Sequence, residues 1–277
     1  MPKTVPALLA VLIACAQAAK PDPMTPDPNG VRPIDAPDAL FIDEMTWMEV
    51  RDAMKAGKDT VLVAAGGIEQ NGPYVVTGKH NVVLRATTRA IARKLGNALV
   101  APIVGFAPEG DFDPPTDHMK YPGTIVVTED TFRRLLTDVC SSPRVHGFRN
   151  ILLIGDHGPD QDGLEQVAAD LTRKWADGKT RVRYIADYYD DGDVAKWLAG
   201  QGLKEVDEGL HDDFMMEAQM MVIDPSTVRM KERLAAGRFR INGIDLAPAE
   251  KTVEWGRRIV EFRADKTVAA IRKALER

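Results

Sequence analysis

Thr60-Val61-Leu62-Val63-Ala64-Ala65-Gly66-Gly67 runs apolar without alternation and then stops at a glycine pair. A run with no polar partner at every second position suits a strand buried on both faces. Asn150-Ile151-Leu152-Leu153-Ile154-Gly155 repeats the pattern. Working outward, Ala98–Val104, Thr124–Val127 and Arg181–Ala186 are expected as further strands. Between them, Val82–Leu95, Thr128–Cys140, Asp160–Trp175 and a segment around Val194–Gln201 are expected as helices, and Leu246–Arg277 as a long, charged closing helix. Thr128 suits a helix N-cap, with Glu129 and Asp130 in the first turn. Strands alternating with helices imply an α/β fold, a mostly parallel central sheet covered on both faces. No internal repeat or second linker divides residues 40–277, which are expected to form one domain. Ligands of such sheets sit beyond the carboxyl ends of the strands. The polar segments there are Gly66–His80, Pro108–Gly123, Gly155–Gln161 and Asp187–Asp193.

Composition narrows the chemistry. The chain has 277 residues, a net charge of -5, and 44% hydrophobic and 28% charged residues, which is ordinary for a globular protein. An acidic balance without a Lys/Arg cluster argues against a nucleic-acid partner. The 2 cysteines, Cys15 and Cys140, cannot build a disulfide framework or a C-x-x-C knuckle. Any metal must therefore be held by His, Asp and Glu. Cys140 is expected as a buried small hydrophobe, and so are Met215, Met216, Met220 and Met221. Neither a G-x-G-x-x-G fingerprint nor a G-x-S-x-G elbow occurs.

Residues 1–19 carry Lys3, an apolar run over Val5–Ala16 and small residues, the pattern of an export signal. Ala16-Gln17-Ala18 offers one cleavage site. Leu12-Ile13-Ala14-Cys15 resembles a lipobox, which would put a lipid on Cys15 and give the chain its single membrane connection. An apolar helix retained in the fold is the third reading. The expected location is the periplasm or the envelope surface. Residues 20–39 contain Pro21, Pro23, Pro26, Pro28, Pro33 and Pro37 and are expected as an extended linker.

The chemistry-bearing residues fall at strand ends. Glu69 and His80 follow the first strand, and His157 follows Asn150–Ile154. One carboxylate and two imidazoles suit a divalent cation with an open coordination position. A histidine at a strand end also occurs for purely structural reasons. The surrounding blocks add specificity. Glu69-Gln70-Asn71-Gly72-Pro73-Tyr74 with Gly78-Lys79-His80 resembles the E-x-H-G-x-H-L-P-x-G-x-D of the creatininase family. Asp117-His118-Met119-Lys120-Tyr121-Pro122-Gly123-Thr124 resembles its E-H-x-x-F-P-G-T, and Gly155-Asp156-His157-Gly158 its N-G-H-G. Leu210-His211-Asp212-Asp213, with Gln219-Met220 and Asp224-Pro225 downstream, resembles its L-H-A-G and Q-M…D-P segments. The blocks occur in family order from Glu44 to Arg229.

That resemblance implies an α/β/α layered fold, a homo-oligomer (often a hexamer), and a small-molecule substrate whose C–N bond is hydrolysed at zinc or manganese. It assigns Glu69 and His157 as metal ligands, His80 to the position of the bridging aspartate, and His211 as the catalytic histidine. The departures count as much. Asn71 stands where the family has a histidine of the second metal, and His80 replaces a carboxylate that bridges both. One metal per chain, at Glu69, His80 and His157, is therefore expected, or else a much weakened pair. His211 is the first acid–base candidate, with Asp213 and Asp212 as alternatives that could instead orient it or sit on a solvated face. Asp156 is expected behind an imidazole. Asn71, Tyr74, His118, Tyr121 and Asp156 are expected around the substrate pocket, and the prolines of the His118 loop could equally mark a rigid surface loop. Two functions compete: a metal-dependent amidohydrolase of a small amide or cyclic amide outside the cytoplasm, and a catalytically silent binding protein on the same scaffold. A purely structural role through a hexamer is the third.

Overall fold

In the computed structural model, residues 24–176 and 178–276 are described. The expected export signal, Cys15 and the first residues of the linker lie outside them. The chain divides into two units, one ending at Asp35 and the other running over Ala36–Arg277. Residues 24–39 hold turns and bends without helix or strand.

After a short 3-10 helix, Ile42–Glu44, the second unit continues with α1 (Trp47–Lys55), started by a capping box in which Thr46 and Glu49 satisfy each other's backbone N–H. Then come β1 (Thr60–Ala65), α2 (Lys79–Leu95) and β2 (Ala98–Val100). Next are α3 (Glu129–His146), β3 (Asn150–Gly155), α4 (Asp160–Lys174) and β4 (Arg181–Tyr184). The remainder is α5 (Asp191–Gly200), α6 (Phe214–Ile223), α7 (Met230–Ala236), a small hairpin of β5 (Arg240–Ile241) and β6 (Ile244–Asp245), and α8 (Ala249–Leu275).

The main sheet has the order β2-β1-β3-β4, with every pair parallel. Side chains alternate across it, as the strand period demands. Val61, Val63 and Ala65 pack with Phe132 and Leu136 of α3 and Leu164 and Leu171 of α4. Leu62 and Ala64 pack on the other face with Leu84 and Ile91 of α2 and Val268 and Ile271 of α8. Helices therefore cover both faces, as the unbroken apolar runs require. A third cluster joins α5, α6 and α8 and takes in Phe214, Met215, Met216, Met220 and Met221. Cys140 is a buried free thiol inside the α3 layer. Among the described residues no helix is long and apolar enough to cross a membrane.

Three expected strands change. Pro102 removes a donor just past β2, and the strand stops at Val100 instead of reaching Val104. Thr124–Val127 is not a strand: Ile125 bonds to the Ile68 carbonyl and Val127 to that of Ala107, so it laces loops together. Arg181–Ala186 ends at Tyr184 and turns into a short 3-10 helix, Ala186–Tyr189. The helix expected from Val82 begins earlier, at Lys79, which puts His80 in the first turn of α2 rather than in a loop.

β1 lies between β2 and β3, with the chain leaving β1 toward one side of the sheet and β3 toward the other. The loops after these two strands diverge and leave a crevice at their carboxyl ends. The Gly66–Gly78 segment and the Asp156–Pro159 turn form its walls.

Candidate metal centre

A cavity of about 850 Å³ opens at this crevice, and Glu69, His80, Glu109, His118, His157 and His211 all line it. At its floor lies Glu69, 1% exposed. Its Oε1 is 2.7 Å from His80 Nε2 and 3.2 Å from Lys79 Nζ. Its Oε2 is 3.3 Å from His157 Nε2 and 3.6 Å from His118 Nε2. His211 Nδ1 is 4.0 Å from Oε1. Four of the chain's 5 histidines thus surround one carboxylate, although they come from four different segments.

Each inner imidazole is held from behind. His80 Nδ1 meets Asp156 Oδ2 at 2.9 Å, and His157 Nδ1 meets Asp160 Oδ1 at 3.1 Å. A carboxylate on the outer ring nitrogen fixes the tautomer and turns the other nitrogen inward, the usual support of a metal-ligating histidine. Asp156 is anchored in turn by the Tyr188 hydroxyl at 2.9 Å and by Arg263 Nη1 at 3.0 Å. Glu69 Oε2 has no hydrogen bond of good geometry among the described residues. A buried carboxylate oxygen left so, facing imidazole nitrogens aimed at it, suits a cation. The ligand atoms of Glu69, His80 and His157 lie within 4.8 Å of one another, and all three residues are buried. The donor set, two histidines and one carboxylate, fits zinc or manganese.

Glu69, His118 and His211 form a second, more exposed group that shares the same carboxylate. Gln70 organises it. Its backbone oxygen accepts from His211 Nδ1 at 3.0 Å, and its Oε1 lies 3.3 Å from His118 Nδ1. The two rings stand 4.4 Å apart. His211 adopts a left-handed backbone, φ 55°, and its carbonyl accepts from Lys79 Nζ at 3.3 Å.

The electrostatics follow from burial and pairing. Burial opposes the charge on Glu69, but His157, His80 and Lys79 outweigh it and hold the carboxyl far below the ordinary range. Burial also opposes a charged His157, yet Asp160, Glu109 and Glu69 push it up to about 11. His80 rises above its ordinary value against burial because Asp156 and Glu69 accept from it. At the mouth the balance reverses, and burial and the Lys79 charge hold His211 below its ordinary value. Burial pushes Asp212 up to about 6.

Not every expected residue reaches the cavity wall. Asn71 turns away, its Nδ2 donating to the carbonyls of Glu69 and Val76 at 3.1 Å each, so it braces the loop. Tyr74 lies against the buried Arg233 guanidinium, 4.5 Å from ring centre to Cζ. Tyr121 is 51% exposed and sits off the wall. These three are not among the residues that line the cavity; they support or flank it. His118, Asp156 and Asp213 do line it. Asp213 also caps α6, accepting from Met216 N at 2.6 Å, which ties up an oxygen meant for acid–base work. Glu109, Lys79, Asp160 and Arg263 also converge here, and no motif or spacing in the chain announces them. Lys79 abuts His80 in the first block, and Glu109 stands among four acids of one loop, but nothing in spacing separates them from solvated charges.

Comparison with known proteins matches residues 43–271 to the family model for Creatininase, creatinine amidohydrolase. A 3-dehydro-scyllo-inosose hydrolase of Thermotoga maritima is 26% identical over 128 residues, 46% of this chain and 39% of that protein. A creatinine amidohydrolase of Pseudomonas putida is 24% identical over 119 residues, 43% of this chain and 45% of that protein. The chain thus matches less than half the length of either relative. Among solved structures, a mutant creatininase superposes with a TM-score of 0.64 at 21% identity, covering 86% of this chain and 99% of that one. One described as creatininase Mn gives 0.63 at 20%, with the same coverage. At such identities the structural likeness speaks for the fold.

Proposed function

The chain belongs to the creatininase family, and from that premise we propose that it is a metal-dependent amidohydrolase that cleaves a C–N bond in a small amide or cyclic amide. The observation that carries the reading is the convergence of Glu69, His80 and His157, with both inner imidazoles backed by carboxylates. These three residues hold the divalent cation, zinc or manganese, one per chain. A bound divalent cation supplies a Lewis acid that polarises a carbonyl and acidifies water.

The protein's own groups do the rest. His211 donates Nδ1–H to the Gln70 carbonyl, which leaves Nε2 free to carry a proton to the leaving nitrogen. Its half-exposed position and lowered proton affinity keep it neutral near pH 7, ready to accept before it donates. Asp212 stands beside it on the wall, and neither carboxylate oxygen has a partner among the described residues. The cavity admits a compact molecule of drug-like size or smaller. The altered ligand set favours a compound other than creatinine. Export through residues 1–19 and homo-oligomer formation belong to the same proposal.

The test is metal analysis followed by a panel of amides, lactams and cyclic ureas with zinc or manganese added. Turnover that disappears in Glu69→Ala and His157→Ala is expected. Protein that retains no divalent metal, and whose unfolding is unmoved by chelator, would exclude the reading. A second reading, a silent binding protein, is favoured by one contact: Lys79 Nζ already sits 3.2 Å from Glu69 Oε1 and offsets part of its charge. Metal binding without turnover of any compound in the panel supports it.

A further inference from the structure

We propose that Glu109, on the loop after β2, is a fourth protein ligand of the same cation. The proposal deepens the metal reading and rests on it. Glu109 is 3% exposed and lies between Pro108 and Gly110. Its Oε1 is in direct contact with His157 Nε2, the nitrogen that Glu69 Oε2 faces at 3.3 Å. Two carboxylates therefore address one ring nitrogen, which has a single proton or a single lone pair to offer. Glu109 Oε1 makes no hydrogen bond of good geometry among the described residues, and neither does Glu69 Oε2.

A supporting role from behind does not account for this placement. The outer nitrogen of His157 is already held by Asp160. Glu109 touches the inner nitrogen, where a carboxylate either competes with the cation or binds it. The backbone makes room for it there: a Cβ on Gly67 would come within 3.1 Å of Glu109 Oε1 and 3.9 Å of His157 Cγ.

Charge points the same way. Four carboxylates touch the two inner imidazoles: Glu69, Glu109, Asp156 and Asp160. Two buried cations touch those carboxylates, Lys79 and Arg263. With both imidazoles neutral, as ligands must be, two negative charges are left over, which is the charge of one divalent cation. Without Glu109 only one negative charge is left, and a divalent cation is undercompensated. Glu109 also returns a second carboxylate to a ligand set in which His80 stands at a carboxylate position.

The experiment uses the full chain stripped with chelator and titrated with Co²⁺, whose visible absorption reports the number and type of ligands, and with Zn²⁺ by calorimetry. Wild type, Glu109→Gln, Gly67→Ala and Asp160→Asn are compared, with thermal unfolding in chelator as the check on folding. Glu109→Gln is expected to raise Kd at least about tenfold and to change the intensity of the Co²⁺ bands. Gly67→Ala, whose Cβ presses on the Glu109 carboxylate, gives the same signature if the glutamine variant fails to fold. An affinity loss with unchanged bands, the pattern expected of Asp160→Asn, would make Glu109 a positioning residue and overturn the proposal. Unchanged affinity and unchanged bands overturn it as well. No Co²⁺ bands and no Zn²⁺ heat in the wild type would instead remove the metal reading itself, and this proposal with it.

Discussion

Asp156 grips His80 from behind, its Oδ2 2.9 Å from the His80 Nδ1 that faces away from Glu69. The pair links the turn after β3 to the first turn of α2, so one contact both closes the crevice and aims an imidazole. Its other oxygen receives Tyr188 and Arg263. Asp156→Asn keeps the shape but removes the charge that both His80 and Arg263 use. Metal affinity should fall about 10–100-fold. Unfolding in chelator should also come at lower denaturant, by less than the about 3–5 kcal/mol of an abandoned buried charge, because Arg263 keeps Asp191 as a partner. Calorimetry with Zn²⁺ and urea unfolding measure the two effects separately.

Away from the site, Glu217 of α6 and Arg233 of α7 form an ion pair at 2.6 Å with both side chains fully buried. The guanidinium also donates to the carbonyls of Arg238 and Arg240, so it locks α7 and the small hairpin onto α6. Glu217→Ala leaves that cation buried and unpaired, which should cost about 3–5 kcal/mol. Replacing both partners by apolar residues of similar volume should cost much less. Equal losses in the single and double variants by chemical denaturation would contradict this.

Where α8 crosses α6 the backbones nearly touch. A Cβ on Gly256 would lie within 1.9 Å of the Ala218 carbonyl oxygen, a backbone atom that cannot step aside. Gly256→Ala should therefore destabilise by at least about 2 kcal/mol although alanine is the better helix former. A rise in unfolding midpoint would show that the two helices separate at little cost.

Much of the fold is legible because burial on both faces leaves a plain signature. β1 and β3 are apolar at every central position, and both strands appear where the runs predict. α6 was harder to see: Phe214–Ile223 is apolar nearly all round, so it has no stripe to betray a helical period. Thr124–Val127 has strand-like residues, yet its hydrogen bonds go to loops, a tertiary outcome that local preference cannot foresee. At the site, Glu69, His80 and His157 are legible as chemistry-bearing residues at strand ends, and His211 through the resemblance of its block to the family. Glu109, Lys79, Asp160 and Arg263 stayed hidden among 41 acidic and 36 basic residues, most of which face solvent. Their role depends on burial, which the fold alone decides.

One acid is placed to make stability depend on pH. Burial, with help from the Asp213 charge, pushes the Glu205 carboxyl up to about 7. Its folded pKa thus lies above its unfolded value of about 4.3. Below the unfolded value both states hold the proton and the group contributes no slope. Between the two values the folded chain alone keeps it, so stability falls as pH rises through that window and levels off above about pH 7. The slope from one proton is at most about 1.4 kcal/mol per pH unit. In Glu205→Gln this part of the slope should vanish, and chelator-treated protein unfolded between pH 5 and 8 would show the difference. Parallel curves for the two proteins would mean that Glu205 is ionised throughout.

His211 separates catalysis from metal binding. It lies 4.0 Å from Glu69 Oε1, farther than His80 or His157, and is half-exposed at the mouth of the cavity. If its task is to carry a proton, His211→Asn should keep one equivalent of zinc and lower kcat about 100- to 10,000-fold on whichever amide the panel identifies, with a much smaller effect on KM. His157→Ala should lose the metal and the activity together. The alternative is that His211 and His118, both oriented by Gln70, hold a cation of their own with Glu69. In that event His211→Asn would lower the metal content as well as the rate, and elemental analysis of the variant beside its kinetics decides between the two roles.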